Sequence, residues 1–144
     1  MQIYSHELDL RIWHKDLDPD LVSRTLGLEP MIFWRAGEPR RTPKGTSLKG
    51  IRSQGYWAGN PFSYGWRASA DAQIEDSLEE LVEFLEPHRE FLRGIAEGGQ
   101  VRLWVSSQGA RNYALELSPN LLARIAGLGA TLVHDVYSVA QAGS

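Results

Sequence analysis

The residues with chemistry to offer gather in one stretch of the chain. Between Arg35 and Arg52 stand six basic side chains, Arg35, Arg40, Arg41, Lys44, Lys49 and Arg52, against the single acid Glu38, a local balance of +5. The stretch is flanked by Phe33, Trp34, Tyr56, Trp57, Phe62, Tyr64 and Trp66, half of the fourteen aromatic residues in the chain. Arginine brings a rigid fork of donors and aromatic rings bring large contact area at low entropic cost, so the two together favour recognition over catalysis. Gly37 and Pro39 fix a bend that presents the guanidinium groups. The candidate binding residues are therefore Trp34, Arg35, Gly37, Glu38, Arg40, Arg41, Lys44, Trp57 and Trp66. The competing reading is structural: the rings pack beneath the loop and hold it down, and the charges are merely solvated.

Other chemistries find less support. With no cysteine in 144 residues, thiolate metal sites, disulfides and thiol nucleophiles are excluded, leaving His, Asp and Glu as metal ligands. His6 and His14 share one strand face but lie roughly 26 Å apart at the strand rise, too far for one ion. His88 sits in a charged helical stretch, and His134 and Asp135 are strand neighbours that point to opposite faces, so they cannot form a catalytic pair. Pro43-Lys44-Gly45-Thr46-Ser47 has the residue types of a phosphate loop without its spacing or its strand and helix context. Nine acids stand against Arg89 and Arg93 between Asp71 and Glu97. On the outer face of an amphipathic helix they read as solvated surface, since glycosidase-type chemistry needs two carboxylates converging in a cleft. No metal, cofactor or catalytic set is expected.

The elements that must position these residues follow from periodicity and punctuation. Leu8, Leu10 and Ile12 alternate with Glu7, Asp9 and Arg11, the pattern of a half-buried strand. Asp18-Pro19 opens a helix that carries Leu21, Val22 and Leu26 inward and ends at Gly27. Met31–Trp34 reads as a short strand, residues 37–55 as a long exposed loop, and Tyr56–Ser69 as a strand interrupted at Gly59-Asn60-Pro61. Ser77-x-x-Glu80 reads as a capping box opening a helix along Leu78, Leu81, Val82 and Leu85, which Pro87 must kink. Val101, Leu103 and Val105, then Tyr113, Leu115 and Leu117, read as a hairpin. Ser118-Pro119 opens a helix with Leu121, Leu122 and Ile125, and Thr131–Val139 closes the chain as a strand. Leu21 and Leu115 join Leu8, Leu10, Ile12, Leu81, Leu85 and Leu103 in the expected core.

This order predicts a single α+β domain over residues 1–144: a ferredoxin-like two-layer sandwich. About six strands form a mixed, mainly antiparallel sheet, with three helices, one kinked, on one face. Asp18–Pro30 aligned on Ser118–Ala130 matches at Pro19/Pro119, Leu21/Leu121, Arg24/Arg124, Gly27/Gly127 and Leu28/Leu128, which suggests a strand-helix-strand repeat over about residues 5–35 and 112–139. A right-handed crossover in each unit would put both helices on one side of the sheet.

The runs Leu17-Asp18-Pro19-Asp20-Leu21, Leu26-Gly27-Leu28-Glu29-Pro30 and Trp34-Arg35-x-Gly37-Glu38-Pro39, with the later Leu117-Ser118-Pro119 and Asp135-Val136-Tyr137, resemble the bacterial domain-of-unknown-function family numbered four-two-seven-nine. The resemblance spans roughly residues 5–139 and implies a small bacterial cytoplasmic α+β domain, with no activity or ligand to carry over. The Gly59-Asn60-Pro61-Phe62 insertion departs from that family and leaves the register of Trp57 and Trp66 open. The N-terminus has no basic start or apolar core of a secretion signal and no run reaches the length of a membrane span, so a cytoplasmic location is expected. The leading expectation is a non-catalytic module that recognises an acidic protein partner through the basic, aromatic-flanked loop. An immunity-type inhibitor fits by analogy of size alone. Single-stranded nucleic-acid binding is the alternative, disfavoured by a net charge of -3, and a small hydrolase is a third. A homodimer stays open.

Overall fold

A computed structural model describes residues 2–138. Its elements are β1 (Ser5–His14), α1 (Pro19–Leu26), β2 (Ile32–Trp34), β3 (Pro39–Arg41), β4 (Ser47–Ile51), β5 (Gly55–Gly59), β6 (Arg67–Ala68), α2 (Ile74–Leu85), α3 (Arg89–Gly98), β7 (Gly99–Gln108), α4 (Pro119–Gly127) and β8 (Ala130–Val136). Six strands form a mixed sheet in the order β2-β5-β1-β7-β8, with the short β6 paired to the start of β1, while β3 and β4 form a separate hairpin. All pairings are antiparallel except β7 with β8.

The period-2 pattern of β1 decides the layering. Leu8, Leu10 and Ile12 pair in register with Val105, Leu103 and Val101 of β7, and all six are buried on one face. That face receives every helix: Val22 and Leu26 of α1, Leu78, Leu81, Val82 and Leu85 of α2, Leu92 of α3, and Leu121 and Ile125 of α4 belong to one apolar cluster with the strand residues. Removing this apolar surface from water is what chiefly holds the layers together. The helices opened by Pro19 and Pro119 thus lie on the same side, each capped by a side chain, Asp18 to the N–H of Asp20 and Ser118 to that of Leu121. Gly99, where β7 leaves α3, packs against β1 so tightly that a Cβ there would lie 2.1 Å from the Trp13 carbonyl oxygen.

Several expectations change. Residues 113–117 form no strand: β7 already has β1 on one edge and β8 on the other, so Tyr113, Leu115 and Leu117 alternate half-buried along an irregular segment without an edge to join. The ferredoxin-like arrangement needs split crossovers. β1 and β2 are parallel with β5 between them, but β7 and β8, joined through α4, are direct neighbours. Leu21 is exposed, because Val22 and Leu26 take the inward stripe of α1. The second helix starts before Ser77, at Ile74, with the Asp76 carboxylate accepting the N–H of Gln73. A 3-10 turn at Glu86–His88 carries the Pro87 kink.

Ser77 instead points into the core. Its hydroxyl lies 2.7 Å from His6 Nε2 and accepts from Arg67 at 3.1 Å, while His6 has no solvent exposure. A second contact joins Ser107 Oγ to His134 Nε2 at 2.6 Å and to the Tyr113 hydroxyl at 2.7 Å. Both serines are buried, so these contacts tie the helices and the irregular segment to the sheet rather than present a nucleophile.

Candidate functional site

Among the described residues, the other face of the sheet carries no helix. In-register pairing puts Gln100, Trp13, Tyr56 and Trp34 in one row across it, and Arg102, Arg11, Ala58 and Ile32 in the next. Trp104 and Asp9 form a third. Strand alternation alone produces this: the positions opposite the buried leucines and valines must face away from the helices.

The side chains on this face interleave cations with rings. The Tyr56 ring lies 4.7 Å from Trp13 and 4.5 Å from Trp34. Arg102 caps Trp13 at 5.0 Å and Arg52 caps Trp34 at 3.7 Å, so a guanidinium closes each end of the three-ring run. Beside it Arg11 lies 4.0 Å over Trp104 and donates to Asp9 at 3.2 Å. A guanidinium stacked flat on an indole keeps its in-plane N–H donors free for a carboxylate while giving up little further freedom. Burial pushes the Tyr56 hydroxyl above its ordinary range, against a smaller opposite effect of Arg11.

The basic stretch sits over one end of this face. What the sequence suggests as a loop contains the β3–β4 hairpin, every strand residue of which is exposed. Gly37, at φ 87°, makes the turn into it, and its N–H donates to the Arg52 carbonyl while the Arg52 N–H donates to Glu38. Trp34 anchors the base by donating from its indole to the Gln54 carbonyl at 3.0 Å. Three clefts of about 360, 410 and 430 Å³ meet at the Trp34–Arg52 stack. The last lies between hairpin and open sheet face, with Ala58 lining it along with Arg11, Arg41, Arg52 and Asp9.

The sequence-derived residues divide accordingly. Trp34, Glu38, Arg40 and Arg41 line these clefts, with Gly37 shaping the turn beside them and Lys44 exposed near the hairpin tip. Arg40 donates to the Lys49 carbonyl at 3.3 Å. Arg41 and Lys44 have no ion-pair partner among the described residues. Arg35 turns away to bind Asp18 at 3.1 Å and Asp20 at 2.7 Å, tying the hairpin to the start of α1; its guanidinium holds the Asp18 carboxyl below its usual range. Trp57 belongs to the opposite side: it has no exposure, and its indole donates to Ser23 of α1 at 3.0 Å. Trp66 meets Tyr137 edge-on at 5.5 Å and lines none of the three clefts. Glu79 and Glu80 of α2 and Glu86 of the following turn pair elsewhere, Glu79 and Glu86 with Arg124 and Glu80 with Arg67. Sequence reasoning missed Asp9, Arg11, Trp13, Arg52, Arg102 and Trp104 as site residues. Arg52 stood in view among the loop's basic residues; the signal for the others was the polar half of the β1 and β7 alternation, which carries tryptophan and arginine where a merely solvated face needs neither.

A family model described as "Domain of unknown function (DUF4279)" matches residues 2–139. No curated protein and no solved structure matches the chain.

Proposed function

We propose that this chain, which belongs to the DUF4279 family, is a non-catalytic binding module that recognises an acidic protein partner through the hairpin and the sheet face beneath it. The observation that carries the reading is the meeting of three clefts at the Trp34–Arg52 stack, rimmed by Arg40 and Arg41. Arginine and tryptophan concentrated at a concave, water-accessible surface is the composition of an interaction hot spot. Glu79, Glu80 and Glu86 pair with Arg67 and Arg124 and not with the hairpin, and Arg41 and Lys44 have no ion-pair partner among the described residues, which leaves positive charge on the hairpin for an outside partner.

Single-strand binding needs ring faces open for bases to stack on. Here Trp13, Trp34 and Trp104 each already carry a guanidinium, which favours a carboxylate-bearing partner over a base. The test is affinity capture from extract of the native host, with wild type beside an Arg41→Ala/Lys44→Ala/Lys49→Ala variant. The expected result is a protein retained by wild type at low salt, lost by the variant and released as salt is raised, with both baits equally stable. Identical captured proteins from both baits would refute the reading.

A further inference from the structure

We infer that the group anchoring the partner is an extended acidic segment seated in the cleft between hairpin and open sheet face, with its carboxylates gripped by Arg11 and Arg41. This rests on the reading above and narrows the principal contact to the one cleft that hairpin and sheet share.

Charge is the first argument. The cleft is lined by Arg11, Arg41 and Arg52 against one acid, Asp9, which Arg11 already engages. What remains is a cationic cleft with two guanidiniums beyond the internal pair. Shape is the second. In the row Arg11, Ala58, Ile32 the central side chain is a methyl group, so the sheet surface is lowest there, and Ala58 forms the floor of the cleft between two larger neighbours. A cleft of about 430 Å³ takes a few side chains of an extended segment and not the face of a folded domain.

The third argument is hydrogen-bond accounting. Arg11 uses its terminal nitrogen on Asp9, but among the described residues its buried Nε–H has no acceptor, and neither has the indole N–H of Trp104 on which it stacks. Buried donors without acceptors are rare and costly. A carboxylate in the cleft would supply Arg11 with the acceptor that the described residues do not, once the guanidinium turns its Nε–H toward the opening. Arg41, exposed and without an ion pair among the described residues, reaches the same cleft from the hairpin.

The experiment uses the full chain and a short fluorescein-labelled Asp/Glu-rich peptide carrying one leucine, with its Asn/Gln counterpart as control, read by anisotropy. The acidic peptide is expected to bind and the amide peptide not. Arg41→Ala should weaken binding about tenfold or more, because a charge-assisted contact is lost, whereas Lys44→Ala, the same charge change outside the cleft, should stay within about twofold. Arg11→Lys keeps the charge beside Asp9 but loses the fork, and should weaken binding severalfold when affinity is read on the folded fraction, with the melting temperature measured beside it. Equal losses in Arg41→Ala and Lys44→Ala would overturn the cleft while leaving recognition by the hairpin charges standing. No binding of the acidic peptide, or equal binding of both peptides, would also overturn it, and the capture experiment then judges the broader reading by itself.

Discussion

Trp57 separates the two halves of the molecule more sharply than any other residue, because its neighbours Tyr56 and Ala58 face the clefts and it faces the core. Replacing Trp57 with Ala removes a fully buried indole packed in the main apolar cluster. Truncations of buried tryptophan cost about 3–5 kcal/mol, a large share of the roughly 5–15 kcal/mol that typically separates folded from unfolded chains. Trp57→Phe keeps most of the apolar contact but drops the 3.0 Å bond to Ser23 Oγ. Ser23 is half-buried and can turn to water, so the loss should be only about 1–2 kcal/mol. Urea unfolding followed by far-UV circular dichroism measures both values, and anisotropy with the acidic peptide measures whether the surface is intact. The expected outcome is a graded loss of stability with unchanged affinity in the Phe variant. A Trp57→Ala cost below about 1 kcal/mol, or a loss of affinity in a Phe variant of normal stability, would refute the assignment of this ring to the core.

Two further outcomes follow from the packing. Burial, reinforced by the charge of Arg67, holds the His6 imidazole below its ordinary value of 6.5, and burial does the same at His134, opposed by Asp135. As pH falls below that value the unfolded chain takes up protons that the folded chain refuses, so stability is complete above it and declines below it. The urea midpoint should therefore drop between about pH 7.5 and about pH 5, a window in which most carboxylates stay ionised; an unchanged midpoint would count against buried neutral histidines. Leu103→Ala should cost about 2–5 kcal/mol at a site without exposure, whereas Leu21→Ala, on the exposed flank of α1, should stay within about 0.5 kcal/mol; comparable losses in chemical denaturation would show the faces of α1 to be wrongly assigned.

How much of this was legible in the sequence depends on whether a signal was local. The apolar alternation of β1 and the proline-opened helices were readable because strand period and capping act within a few residues. The strand expected at residues 113–117 was not a local matter: its alternation is real and half-buried, but pairing requires a free edge, and β8 occupies that edge after a crossover through α4. Ser77 shows the same limit at the scale of one side chain. Its spacing to Glu80 imitates a capping box, while its hydroxyl is committed to His6, seventy-one residues away in sequence. Trp57 was misplaced for a related reason, since adjacent aromatic residues on a strand must part to opposite faces and composition treats them as one cluster.

The site follows from the same alternation that builds the core. A sheet covered by helices on one side leaves its alternate residues to face away, and such faces are ordinarily filled with residues that water tolerates singly. Here Trp13, Trp34 and Trp104 occupy that face, and solvent alone gives no reason for three large rings there. Covering them with guanidiniums is a compromise with chemical consequences: the rings are shielded from water by groups that stay charged, and those groups are oriented by the rings beneath them. If stacking served only to shield the rings, a methionine at position 11 would do as well, since its unbranched thioether packs readily on indole. Arg11→Met should then leave affinity for the acidic peptide intact after allowance for any destabilisation from an unpaired Asp9. We expect instead that affinity falls further in Arg11→Met than in Arg11→Lys, measured by anisotropy on the folded fraction, because one loses both charge and fork and the other only the fork. The reverse order would mean that the layer is a cover and not a binding surface.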